Sequence, residues 1–129
     1  MGLVSYMSDY WGIPGFEYLY LEDSWVTGIQ VTPAQLEIEV DLVLREEHSA
    51  YAIPTPGEQY CYRAGTIRFT GVSALRWEGQ GRVAAVDAAG EQDYGSIDTF
   101  DHDGNGYALT GDFGRIEVVA GGLPEVVLR

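Results

Sequence analysis

Lysine is absent from this chain, and its seven basic residues, all arginines, face twenty aspartates and glutamates. Nucleic-acid affinity arises largely when clustered Lys and Arg release counterions from phosphates. A net charge of −13 without any basic cluster therefore excludes nucleic acid as a partner. The same charge disfavours an anionic membrane surface. A basic protein is the kind of partner that the charge permits.

Cysteine and long apolar runs are equally scarce. Cys61 is the only cysteine, so the chain cannot form an internal disulfide and does not resemble a secreted cysteine-rich domain. No segment approaches the roughly 20 apolar residues of a membrane helix, and the N-terminus lacks the basic and apolar regions of a signal peptide. We therefore expect a cytoplasmic protein without a membrane partner.

Helical periodicity is also missing, whereas a period of two is clear. In residues 36–44 apolar side chains alternate with Glu37, Glu39 and Asp41, which predicts a strand with one wet face. Residues 24–31 are rich in β-branched and aromatic side chains, and the short link at 32–35 predicts a hairpin. Further strand-like runs, with glycines at most breaks, occur at residues 59–63, 66–70, 72–77, 82–87, 94–101, 107–112, 115–120 and 125–128.

This pattern predicts a single all-β domain over residues 1–129. About 8–10 short strands with closely spaced turns are typical of an antiparallel β-sandwich or a closed barrel, and the pattern does not separate the two. The length is sufficient for a core without disulfides or metals. Residues 1–17 are the candidate for a loosely packed N-terminal arm, with a short helical turn near residues 6–10.

Four segments carry a resemblance to a known family. They read YLEDSWV at residues 20–26, PGEQYCYR at 56–63, DYGSID at 93–98 and LTGDFG at 109–114. With these segments the chain resembles a family of small uncharacterised bacterial all-β proteins, over most of its length from Leu19 onward. The resemblance implies one all-β domain, and it supplies no activity, cofactor or site residue.

Residues 101–112 have the spacing of a calcium-binding loop. Ca²⁺ prefers hard oxygen ligands, and the glycine at loop position six permits the required bend. The same residues contain Asp-Gly-Asn-Gly, which is a hairpin signal between strands, and no helices flank them. The hairpin is the preferred interpretation, no other cofactor is expected, and a calcium-stabilised β-domain is the alternative. The ligands of that alternative are Asp101, Asp103, Asn105 and Asp112.

Cys61 and His48 raise the question of nucleophilic catalysis, because a reactive thiolate needs a neighbouring base. On a strand, however, Cys61 points away from Tyr60 and Tyr62, and a free cysteine is usually a small buried apolar residue. We therefore predict a core cysteine, no catalytic residue and a non-enzymatic protein. A small ligand-binding barrel or hydrolase remains an alternative.

The N-terminal third is rich in aromatic residues interleaved with carboxylates. Such rings either bury themselves in the core, the more common outcome, or form an acidic aromatic face for an Arg/Lys-rich protein. The leading hypothesis is a protein-interaction module, inhibitor- or immunity-like, that masks a basic site on its partner and is a monomer or small homo-oligomer. The candidate contact residues are Tyr6, Tyr10, Trp11, Tyr18 and Tyr20.

Overall fold

The all-β prediction is confirmed by the computed structural model, which describes residues 8–79, 85–86 and 92–129. These residues form β1 (Ser8–Asp9), a 3₁₀ turn (Tyr10–Gly12), β2 (Leu19–Thr32), β3 (Gln35–Leu44), β4 (Cys61–Thr70), β5 (Val72–Glu78), β6 (Ala85–Val86), β7 (Gln92–Asp93), β8 (Ile97–Asp103), β9 (Gly106–Gly111), β10 (Gly114–Ala120) and β11 (Glu125–Leu128). Most of the strand predicted at residues 82–87 lies outside the described residues. No helix in the described ranges is long and apolar enough to cross a membrane.

The strands form two antiparallel sheets that pack face to face. The five-stranded sheet has the order β1-β8-β9-β10-β5, and the four-stranded sheet has the order β11-β4-β3-β2. The strands β6 and β7 form a separate two-stranded sheet. Of the two predicted architectures, the sandwich is correct and the closed barrel is wrong for the described part of the chain.

The core lies between the sheets and its strand residues come mainly from alternate positions of β2, β3, β4, β8, β9 and β10. In β3 the side chains of Leu36, Ile38, Val40 and Leu42 are fully buried. The acidic residues between them lie on the outer face of the four-stranded sheet. This alternation is the one that the sequence predicts, and it gives β3 one face toward the core and one toward solvent.

The predicted break at Gly65 is wrong, because β4 runs without interruption from Cys61 to Thr70. Gly65 is paired with Val40 on the core side of the sheet. A Cβ at this position would lie 2.9 Å from both the Leu42 side chain and the Val127 carbonyl oxygen. Glycine therefore serves close packing here rather than a turn.

The described part of the N-terminal arm, residues 8–17, is packed against the core. Tyr10, Ile13 and Phe16 are at most 3% exposed and belong to the main hydrophobic cluster. The Asp9 side chain caps the 3₁₀ turn by accepting a hydrogen bond from the Trp11 backbone N–H. Residues 1–7, and with them the predicted contact residue Tyr6, lie outside the described residues.

Candidate interaction surface

A wide bulge in β2 brings two aromatic residues together on the outer face of the four-stranded sheet. Tyr20 is opposite Val43 and Trp25 is opposite Asp41, so residues 21–24 bulge against Leu42 alone. Tyr20 and Trp25 are therefore paired with β3 residues that are two positions apart, and the Cα atoms of such residues are roughly 7 Å apart.

Ser24 holds the bulge in place from within the sheet. Its buried hydroxyl donates a hydrogen bond to the Tyr20 carbonyl oxygen at 2.6 Å and accepts one from the Val43 backbone N–H at 2.9 Å. The side chain thus replaces backbone partners that the bulge removes.

Four large aromatic side chains are exposed at and beside β2. They form what we call the aromatic surface: Trp11 (39% exposed), Tyr18 (46%), Tyr20 (37%) and Trp25 (45%). Exposed carboxylates accompany them in the chain, at Glu17, Glu22 and Asp23. Few small domains leave so many large aromatic rings exposed.

The aromatic surface already holds one guanidinium group. The guanidinium carbon of Arg45 lies 5.2 Å from the ring centre of Trp11 and 4.9 Å from that of Tyr20. These are cation–π distances. The Trp11 and Tyr20 rings themselves meet edge to face at 6.3 Å. The rings are thus arranged in a way that accommodates an arginine.

Tyr10, which was predicted as a contact residue together with Trp11, Tyr18 and Tyr20, is buried, with only 3% of its surface exposed. Its hydroxyl donates to the Glu22 carboxylate at 2.6 Å and accepts from the Leu21 backbone N–H at 3.1 Å. Burial, and next the hydrogen bond to Glu22, raise the pKa of Tyr10. Tyr10 is therefore a core residue and offers no exposed face to a partner.

Trp11 combines an exposed ring with a structural bond. Its indole Nε1–H donates to the Leu19 carbonyl oxygen at 2.9 Å. Leu19 belongs to β2, which is the last strand of its sheet. Together with Tyr10, this bond occupies backbone groups that an edge strand would otherwise leave unpaired.

Residues 45–60, which connect β3 to β4, flank two adjoining open clefts on this side of the molecule. One has a volume of about 390 Å³ and is lined in part by Tyr20, Val43 and Tyr60. The other has a volume of about 400 Å³ and is lined in part by Asp41, Glu58 and Tyr60. The aromatic surface therefore adjoins these clefts through Tyr20.

Asp41 differs from the two other carboxylates on the outer face of β3. Glu37 pairs with Arg68 at 2.9 Å, and Glu39 pairs with Arg129. The carboxylate of Asp41 makes no hydrogen bond or ion pair with any described residue. Partial burial, and next the charge of Glu58, raise the pKa of Asp41. Sequence reasoning missed this residue, because its isolation depends on which residues stand beside it in the sheet.

The proposed calcium ligands are not brought together. Asp103 and Gly106 close a two-residue turn, with Gly104 at a φ of +59° followed by Asn105, the pattern of a type II′ hairpin. The strand β9 then separates Asn105 from Asp112 by roughly 20 Å. Among the described residues, no group of three or more His, Cys, Asp or Glu side chains could hold a metal ion.

His48 and Cys61 do not form a catalytic pair. Cys61 is buried, as predicted, and its sulfur accepts a hydrogen bond from the Ala52 backbone N–H at 3.4 Å. The Nδ1 atom of His48 accepts one from the Ala50 backbone N–H at 2.9 Å. The prediction of a core cysteine is confirmed.

No protein-family model, curated protein or solved structure matches this chain. The resemblance to a bacterial family therefore stays a prediction, and function has to be argued from the surface itself.

Proposed function

We propose that the protein is a non-enzymatic interaction module that binds a basic segment of another protein through its aromatic surface. The observation that carries the proposal is the exposure of Trp11, Tyr18, Tyr20 and Trp25. Two of these rings, Trp11 and Tyr20, already contact the guanidinium group of Arg45. Exposed Trp and Tyr residues are the side chains that most often dominate binding energy, because they bury a large area at low entropic cost.

The charge of the molecule favours the same class of partner. Exposed carboxylates lie along the chain next to the aromatic surface, at Glu22, Asp23, Glu46 and Glu47. With a net charge of −13, the molecule attracts a basic partner over a long range and speeds their encounter at low salt. An inhibitor- or immunity-like role follows if the basic segment belongs to the partner's own functional site.

The test measures binding of a fluorescein-labelled acetyl-(Gly-Arg)₅-amide peptide by fluorescence anisotropy. We expect the wild-type protein to bind this peptide and Trp25→Ala or Tyr20→Ala to weaken binding about tenfold, as truncation of an interface anchor does. Val119→Ala is the matched control, because Val119 is 42% exposed on the other sheet. This control should bind like wild type.

A second peptide separates specific binding from general charge attraction. Acetyl-(Gly-Glu)₅-amide should not bind, since its charge has the same sign as that of the protein. Equal peptide affinity for Tyr20→Ala, Trp25→Ala and Val119→Ala would show that only the net charge attracts the peptide, and it would overturn the proposal.

A further inference from the structure

The strand register places aromatic residues next to Asp41 on both neighbouring strands. On the outer face of the four-stranded sheet, Trp25, Asp41 and Ala64 form one cross-strand row. The next row consists of Tyr20, Val43 and Tyr62. Direct neighbours in such rows lie about 5 Å apart and diagonal ones about 7 Å. Asp41 therefore has Trp25 beside it and two tyrosines within reach diagonally.

The carboxylate of Asp41 lacks the cation that its neighbours on β3 have. Opposite Glu37 on β4 stands Arg68, which forms an ion pair with it. Opposite Asp41 on β4 stands Ala64, which cannot neutralise a charge. A partly desolvated carboxylate without a partner is unfavourable. A ligand that brings a cation to this position would remove that cost.

The cleft next to Asp41 has room for a ligand. The cleft of about 400 Å³ is lined in part by Asp41, Glu58, Tyr60 and Tyr62. Arg63 also lines it, and its guanidinium donates a hydrogen bond to the Arg129 carbonyl oxygen at 3.1 Å rather than to Asp41. This volume lies within the range of pockets that take small ligands or single long side chains. The Tyr60 and Tyr62 rings meet edge to face at 6.2 Å and form an aromatic wall.

We propose that Asp41 anchors the partner by receiving the guanidinium group of one of its arginine side chains. Trp25 and Tyr62 contact the planar guanidinium and its apolar stem. Arginine fits better than lysine, because a planar guanidinium donates two parallel hydrogen bonds to a carboxylate and also stacks on aromatic rings. Arg45 makes the same kind of ring contact with Trp11 and Tyr20. This inference rests on the proposed function and names the group that the site recognises.

The test is an NMR titration with N-acetyl-arginine methylamide, followed through backbone amide shifts. N-acetyl-citrulline methylamide, which has nearly the same shape without the charge, is the matched ligand control. We expect Asp41→Asn to weaken arginine binding roughly tenfold, since a charge-assisted bidentate contact is lost. Asp98→Asn changes the net charge equally at an exposed position of β8 and should bind like wild type.

Two outcomes would overturn the inference: equal shifts with the arginine and citrulline compounds, or equal affinity of Asp41→Asn and Asp98→Asn for the arginine compound. The (Gly-Arg)₅ peptide distinguishes this failure from failure of the proposed function. If Tyr20→Ala and Trp25→Ala weaken peptide binding and Asp41→Asn does not, only the role of Asp41 is wrong. If none of the three weakens it, the proposed function is wrong as well.

Discussion

Single side chains connect the N-terminal turn to the edge of the four-stranded sheet, and Tyr10 is the clearest case. Its hydroxyl is the acceptor for the Leu21 backbone N–H and the donor to Glu22. Tyr10→Phe leaves that N–H buried without a partner, so we expect a loss of about 1–3 kcal/mol in the free energy of unfolding. Urea unfolding measures it. Tyr18→Phe, at an exposed position, should change stability by less than about 0.5 kcal/mol, and equal losses would contradict this account.

Asp41 is expected to lower the stability of the free protein. Because its folded-state pKa is raised above the ordinary value of 3.8, the folded protein holds this proton more tightly than the unfolded chain does. Its unfavourable contribution is therefore fully present above the folded-state pKa and fades as the pH falls toward 3.8.

Asp41→Asn should accordingly raise the melting temperature at neutral pH, and the gain should shrink on acidification through that window. Thermal melts between pH 3 and pH 7 measure both effects, with Asp98→Asn as the control for net charge. A melting temperature that falls at neutral pH would mean that Asp41 has a stabilising partner in the free protein. A gain in stability would fit a residue that is kept for binding.

For single residues, alternation together with the tendency of a free cysteine to be buried was enough to predict the core position of Cys61. It could not separate Tyr10 from Trp11, because these adjacent residues lie in a 3₁₀ turn that buries one ring and exposes the other. It also could not separate Asp41 from Glu37, since the difference between them is the residue on the neighbouring strand, Ala64 or Arg68.

Among the elements, the β2–β3 hairpin contains both a two-residue turn with an alanine at positive φ and the bulge that forms the aromatic surface. Thr32 pairs with Gln35 across a two-residue loop of Pro33 and Ala34. Ala34 has a φ of +61°, the one positive value among the described non-glycine residues. Proline followed by a residue with positive φ is the pattern of a type II turn, in which glycine is preferred at the second of these positions.

Ala34→Gly should therefore stabilise the protein. Relief of the left-handed conformation is worth about 1–2 kcal/mol, and the greater freedom of glycine in the unfolded chain returns about 0.4–1 kcal/mol. We expect a net gain of about 0.5–1 kcal/mol, measured as a rise of a few degrees in the melting temperature. Ala52→Gly, in the exposed loop before β4, is the control and should give no gain. A lower melting temperature for Ala34→Gly would show that the turn is not strained.

The hairpin was predictable from its two strand-like runs and their short link, whereas its bulge was not. The strand was predicted only at residues 24–31, and nothing in the spacing of the sequence shows that residues 21–24 oppose Leu42 alone. The bulge depends on Ser24 satisfying backbone groups of residues 20 and 43, which is a tertiary contact. Trp25 joins the aromatic surface only because of it.

For the molecule as a whole, the all-β class followed from the sequence, whereas the arrangement of the sheets did not. The described residues form eleven strands instead of the predicted 8–10. Alternation and glycine-marked turns indicate many short antiparallel strands. The order β1-β8-β9-β10-β5 depends on pairs distant in sequence, such as Ser8 with His102. No local pattern encodes such a pair, which is why sandwich and barrel could not be distinguished beforehand.

For charge, too, the composition limits the class of partner, whereas the location of the binding surface depends on the fold. Composition permits a basic partner and predicts no binding to nucleic acid. The location of the binding surface depends on the fold, because the two sheets present different outer faces. The outer face of the five-stranded sheet carries cross-strand pairs of Arg76 with Glu117 and of Arg115 with Glu78, so its charges cancel locally. The outer face of the four-stranded sheet has the ion pairs Glu37–Arg68 and Glu39–Arg129, whereas the third carboxylate of β3, Asp41, forms no ion pair with a described residue.

The most direct test of the central claim is to map the (Gly-Arg)₅ peptide onto the protein by its effect on assigned backbone and indole N–H signals. We predict the largest shifts at Trp11, Tyr20 and Trp25 and at their neighbour Asp41, and none on the outer face of the five-stranded sheet around Ala108 and Val119. Shifts that concentrate around Ala108 and Val119, or that spread evenly over all exposed carboxylates, would contradict the claim that the aromatic surface is the binding site.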